Sequence, residues 1–116
     1  MRAQRRNPKR RRWPPGKARL KALIEEAILD AYNESEQRTG FYTMLDEYLI
    51  TPFDTQILGV TATVERIDLT NDEQIVAICR RGRLRQAIPI LHLPLPHPRP
   101  GGAEWIEAYR HWAVPE

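Results

Sequence analysis

Carboxylates carry most of the reactive potential of this chain. Glu26, Asp30 and Glu34 recur every fourth residue, Glu36 follows, and Asp46-Glu47 comes ten residues later. Four-residue spacing stacks side chains on one face of a helix. Placed on one helix and facing Asp46 and Glu47 on the next, these acids could gather several oxygens. A hard divalent cation such as Ca²⁺ takes six to eight oxygens from Asp, Glu, carbonyls and water. Asp54 and the run Asp68, Thr70, Asp72 offer further oxygens near loops. No twelve-residue EF-hand loop is present. On spacing alone the same acids also describe the solvated face of an acidic helix, the commoner meaning of such a pattern.

Other chemistries find less support. There is no phosphate-cradling P-loop, no dinucleotide-binding glycine motif and no nucleophile elbow. Cys79 sits inside an apolar run, where a structural thiol is expected. His92, His97 and His111 lack the helical partner or cysteine pairs of a zinc site. No nucleophile, base and orienting group fall together, so the chain reads as a non-enzyme.

The elements that must position the acids follow from charge and period. Ten of the 18 Lys and Arg residues lie between Met1 and Lys21 with no acid among them. Eight basic residues then stand against all 15 acids, leaving a body of net charge −7 behind a basic tail. Residues 1–16 are almost devoid of apolar side chains and read as a disordered tail, and 17–116 as a single domain. No apolar run approaches the roughly 20 residues of a membrane span. The single cysteine and the missing apolar stretch of a secretory signal make a cytoplasmic location the expectation.

From Lys17 the residues Leu20, Leu23, Ile24, Ala27, Ile28 and Ala31 follow one helical face, and Gly40 is expected to end that helix or turn it. A second helix is predicted over Phe41–Leu49, stopped by Thr51-Pro52. Beyond Phe53 the period drops to two. Val60, Ala62 and Val64 alternate with polar residues, with Gly59 marking a bend. A strand over Gln74–Arg80, a turn at Arg81-Gly82 and a return strand over Leu84–Leu91 come next. Pro94, Pro96, Pro98 and Pro100 predict an extended strap packed across the domain. Glu104–Trp112 predicts a last helix with Trp105, Ala108, Tyr109 and Trp112 on one stripe. The fold class expected is α+β, with an N-terminal helical hairpin, a small SH3-like antiparallel β-barrel and a short C-terminal helix.

The stretch Asp30-Ala31-Tyr32, Glu34, Glu36, Gly40-Phe41-Tyr42, Leu45-Asp46-Glu47, Leu49 and Pro52-Phe53 resembles the CcbP-like bacterial calcium-binding proteins. Trp105-Ile106-Glu107-Ala108-Tyr109-Arg110-His111-Trp112 resembles the ending of a related branch. The resemblance implies Ca²⁺ binding or buffering without an EF-hand, and by position its ligands are Asp30, Glu34, Glu36, Asp46 and Glu47. It also implies helices first and a small SH3-like β-fold after them.

A second reading is a nucleic-acid-associated module. It would use Arg80, Arg81, Arg83 and Arg85 of the hairpin, with Arg5, Arg6, Lys9, Arg10, Arg11 and Arg12 of the tail gripping phosphates or an anionic surface. A third is a protein-interaction adaptor built on the proline strap and the final aromatic helix.

Overall fold

The helical period that starts near Leu20 stops earlier than expected. In the computed structural model, which describes residues 13–114, helix α1 spans Lys17–Ala27 and helix α2 spans Glu34–Tyr48. Between them Asp30 takes a left-handed backbone with φ 65°. Asn33 then caps α2. Its Oδ1 accepts the Glu36 N–H at 2.8 Å, while Glu36 Oε1 accepts the Tyr32 N–H at 2.6 Å. A reciprocal cap of this kind satisfies donors the helix cannot, and contributes about 1 kcal/mol. Gly40 therefore lies inside α2 and does not end a helix. It is there for lack of a side chain, because a Cβ at this position would sit 2.1 Å from the Ala27 carbonyl oxygen. The two helices approach backbone to backbone at that point.

Four strands follow in chain order. They are β1 (Phe53–Ile57), β2 (Val60–Leu69), β3 (Ile75–Arg81) and β4 (Leu84–Pro89), paired antiparallel in the order β1-β2-β3-β4. Leu58 and Gly59, both at positive φ, make the first hairpin turn. Gly82, φ 59°, leads the two-residue turn between β3 and β4. In β2 the register slips between Val64 and Arg66, so Val64 and Ile67 both reach the core although three residues apart.

The expected SH3-like barrel does not form. The sheet is open, with β1 and β4 as its edges. The return strand stops at Pro89 rather than Leu91, and the chain passes into a 3-10 turn at Ile90–His92. Among the described residues no fifth strand follows to close the sheet. Instead helices cover the apolar face that closure would have hidden. Helix α3 spans Ala103–Ala113 and buries Trp105, Ile106, Ala108 and Tyr109, while Trp112 is partly covered. It packs on α1 and α2, and α2 lies against β2.

The core joins the two layers through Leu23, Phe41, Leu45, Val64, Ile75, Ile90, Leu93 and Ile106. Each such side chain contributes about 1.5–3 kcal/mol by leaving water. Phe41 sits at its centre, with ring centroids 5.5 Å from Tyr109 and 5.2 Å from Trp112. The proline strap packs across the domain as its composition suggested. Thr55 Oγ1 donates to the Pro94 carbonyl at 2.5 Å, and the Ile50 N–H donates to Gly101 O at 2.9 Å. Arg110 reaches the same segment, donating to the carbonyls of Ile90 and Leu93. No helix among the described residues is long and apolar enough to cross a membrane. The tail residues Arg5, Arg6, Lys9, Arg10, Arg11 and Arg12 lie outside the described residues.

Candidate metal centre

Helix α2 carries four of the five acids singled out from the sequence, and it sets them at its two ends. Glu34 and Glu36 are on its first turn, with Asp30 in the turn before it. Asp46 and Glu47 are on its last turn. Twelve residues at 1.5 Å each put Glu34 about 18 Å from Asp46 along the axis. Ca²⁺ is held at 2.3–2.6 Å. One ion cannot be shared between the two ends, so the expected arrangement of acids facing each other from neighbouring helices is not what the chain builds. All five side chains are exposed.

The N-terminal end is already occupied by the protein's own donors. Arg38 Nη2 pairs with Glu34 Oε2 at 2.9 Å, one turn along the helix. The β2–β3 turn brings in Glu73, whose two carboxylate oxygens accept from Arg38 at 3.4 Å and from Ser35 Oγ at 3.1 Å. Glu36 is spent on the cap. The helix dipole also places its positive pole here, which disfavours a cation.

The C-terminal half differs on each count. Tyr42, one turn before Asp46, is partly buried where α2 meets β2. Burial pushes its phenol above the usual tyrosine range, and the negative charges of Asp46 and then Asp68 push it further. Asp68 comes from β2 and accepts the Leu69 N–H at 2.8 Å. Among the described residues no Lys or Arg pairs with Asp46, Glu47 or Asp68. The last turn of α2 also presents the negative pole of the dipole. Two acids from different elements thus act on one phenol, and no Lys or Arg among the described residues pairs with either.

These oxygens have the hard character Ca²⁺ requires, but they are not a finished cage. Among the described residues no three His, Cys, Asp or Glu side chains are gathered closely enough to hold a metal ion. Sequence reading placed Asp68 among loop oxygens, whereas it belongs to a strand beside α2. Glu73 escaped notice because nothing near it in sequence marks it as a partner of Ser35 and Arg38.

Several other acids have partners of their own. Asp54 Oδ1 accepts from Thr63 Oγ1 at 2.7 Å, and Asp72 accepts from the Thr70 hydroxyl. Glu65 takes Arg80 at 2.7 Å and Arg85 at 2.8 Å, so two of the four hairpin arginines are neutralised within the sheet. Cys79 is buried, and burial raises its thiol pKa and keeps it protonated.

Comparison with known proteins adds one finding. The family model of the CcbP proteins, described as calcium binding, matches residues 21–113, a stretch running from within α1 to the end of α3. No curated protein and no solved structure matches the chain.

Proposed function

The chain belongs to the CcbP calcium-binding family, and from that premise we propose that it takes up Ca²⁺ at the C-terminal half of α2, on Asp46 and Asp68. The observation that carries this reading is that α2 and β2, which pack together, bring Asp46 and Asp68 to one side of the fold with no Lys or Arg partner among the described residues. Repulsion between uncompensated carboxylates is relieved by a divalent cation, and that relief is binding energy. The protein supplies few charged ligands, so water and backbone oxygens complete the shell and affinity falls in the weak part of the Ca²⁺ range. Asp30, Glu34 and Glu36 form a separate and weaker locus, because a cation there must displace Arg38 and oppose the helix dipole. Binding of this kind, with ligands open to solvent at Asp46 and half-buried at Asp68, suits reversible uptake and buffering rather than catalysis.

Tyr42 gives the reading its test. Neutralising Asp46 and Asp68 removes two of the causes that raise its phenol, so Ca²⁺ should lower the pH at which Tyr42 ionises. Ultraviolet difference titration with and without millimolar Ca²⁺, with Tyr42→Phe to identify the signal among four tyrosines, measures this. The double variant Asp46→Asn, Asp68→Asn should lose the effect. In amide spectra the Ca²⁺-dependent shifts should centre on 42–48 and 67–69. Shifts confined to 30–38, or none at millimolar Ca²⁺, would overturn the assignment.

A further inference from the structure

The point where residues 1–12 join the described fold is fixed by contacts, and it lies at the same end of the domain as the last turn of α2. Pro15 is buried, and the guanidinium carbon of Arg99 sits 4.5 Å from the centre of the Trp13 ring, a cation–π contact that ties this part of the chain to the proline strap. Two residues further along the strap, the Gly101 carbonyl accepts the Ile50 N–H at 2.9 Å. Gly102 backs directly onto the Tyr48 carbonyl, with no room for a Cβ. Arg19, in the first turn of α1, pairs at 2.7 Å with Glu104 in the first turn of α3. The neighbouring Trp105 stacks on Tyr48, ring centroids 5.7 Å apart. The starts of α1 and α3, the end of the strap and the last turn of α2 therefore meet.

The charges that meet there are complementary. Residues 1–12 hold seven of the 18 Lys and Arg residues and no acid, and four of the seven, Lys9–Arg12, directly precede Trp13. The last turn of α2 exposes Asp46 and Glu47, followed by Tyr48 and Ile50, which are also exposed. Among the described residues neither acid pairs with a Lys or Arg, and the C-terminal pole of a helix favours a cation. Reach is no obstacle. Arg99 and Gly101 are at most about 7 Å apart along the strap, four extended residues span about 13 Å and twelve about 40 Å. The acids at the other end of α2 lie about 18 Å away and have Arg38 for a counterion. A segment tethered this close faces the acids at millimolar effective concentration, the range in which weak Ca²⁺ sites fill.

We infer that the chain's own basic segment, Lys9–Arg12 foremost, docks on Asp46 and Glu47 at the last turn of α2 and competes with Ca²⁺ for Asp46. The inference rests on the calcium reading above and adds the regulation of that site. When the ion is scarce the arginines balance the two carboxylates, and Ca²⁺ must release them to bind. A guanidinium can grip a carboxylate but supplies no oxygen ligand, so segment and ion exclude each other at Asp46. Ion pairs of this exposed kind are weak and screened by salt, so the segment lowers affinity without closing the site.

Two full-length double variants with the same change of charge test it. One is Arg11→Gln with Arg12→Gln; the other is Arg81→Gln with Arg83→Gln on the β3–β4 hairpin. That hairpin lies at the far end of the sheet, since Arg80 stands opposite Thr63, five residues and about 17 Å along β2 from Asp68. Ca²⁺ titrations at low salt are followed by amide shifts. The midpoint at 42–48 should fall at least threefold in the Arg11, Arg12 variant and by less than 1.5-fold in the hairpin variant. In the parent, Ca²⁺ should also move the amides of 9–13. Without Ca²⁺ the Arg11, Arg12 variant should already differ from the parent at 46–50. The gap in midpoint should close between about 10 and 150 mM salt, as the screening length falls from about 30 to 8 Å. If circular dichroism shows either double variant misfolded, Arg12→Gln against Arg83→Gln gives the same comparison. Equal changes in both variants would assign the effect to net charge and overturn the inference. Identical midpoints in the parent and the Arg11, Arg12 variant would overturn it too, with the calcium reading intact. No Ca²⁺ shift at 42–48 in any of the three proteins would instead end the calcium reading, and the inference with it.

Discussion

Replacing Gly40 with alanine tests the helix crossing that positions α2. In an isolated helix this change is favourable by about 1 kcal/mol. In the folded chain the new Cβ would lie 2.1 Å from Ala27 O and 3.1 Å from Ala27 C, both backbone atoms that cannot rotate aside. Restoring an allowed contact needs α1 and α2 to part by about 1 Å, and a gap of that size forfeits a quarter to a half of the contacts across it. Leu23 and Ala27 of α1 are the buried residues that lose most. Overpacking of this kind costs about 1–3 kcal/mol, occasionally more. After the propensity gain a net loss of about 1 kcal/mol remains, rising to about 2 at the upper end of that range. Urea unfolding followed by far-ultraviolet circular dichroism should show the midpoint lowered by about 0.5–1 M at unchanged slope, and the melting temperature lowered by roughly 5–10 °C. Gly16→Ala is the control. Among the described residues no atom lies within 4 Å of a Cβ there, and as a capping position without a side-chain bond it should change stability by less than about 1 kcal/mol. A Gly40→Ala protein as stable as the parent, or more so, would refute the close approach of the helices.

Two further predictions concern the supports of the site-bearing layer. Arg110→Met removes the donor that Ile90 O and Leu93 O share; leaving part-buried carbonyls without it should cost about 2–3 kcal/mol, with Arg110→Lys recovering only part because a point charge cannot span both acceptors. Hydrogen bonds from Arg85 and then Arg80 hold Glu65 below the usual glutamate range, so whatever stability it contributes is present above its unfolded pKa and lost as pH falls through the lower folded value. Carbon-detected carboxyl titration should find Glu65 ionising below the usual glutamate range, and Arg85→Ala should move it back toward that range.

Much of the fold is readable from residue pattern, and the misreadings have identifiable causes. The aromatic stripe of α3 points to one buried face, and that face is buried; the alternation of Val60, Ala62 and Val64 points to another, which is buried at Val64 and open at Val60. The boundary between α1 and α2 was harder, since two signals conflicted. The four-residue spacing of Glu26, Asp30 and Glu34 carried a helix straight through the turn at Asp30. Asn33 and Glu36 form a capping box that marks the true start of α2. Gly40 after Thr39 resembles a helix end because a glycine chosen for a close crossing and one chosen for positive φ look alike in sequence. Closure of the sheet could not be read at all. Alternation says that a strand has an apolar face, but not whether other strands or helices will cover it. Pro89 was the available clue, for a proline in a strand points to an edge.

The carboxylates divide along the same line. Their types and their number are evident in the chain, and with the family resemblance they point to Ca²⁺. Which of them remain electrostatically unbalanced depends on contacts between distant segments. Glu34 and Glu73 are 39 positions apart and share Arg38. Asp46 and Asp68, 22 positions apart, both bear on Tyr42 and share no such partner among the described residues. Two pairs of acids of similar composition therefore differ in their capacity for a cation. One has its charge met by an arginine at the positive pole of a helix, and the other lies unmet toward the negative pole. By this argument Arg38→Ala should raise the Ca²⁺ response at Glu34 and Glu73 while leaving that at Asp46 and Asp68 unchanged. A response that grew at both ends together would mean that overall charge, and not the local partner, governs where the ion binds.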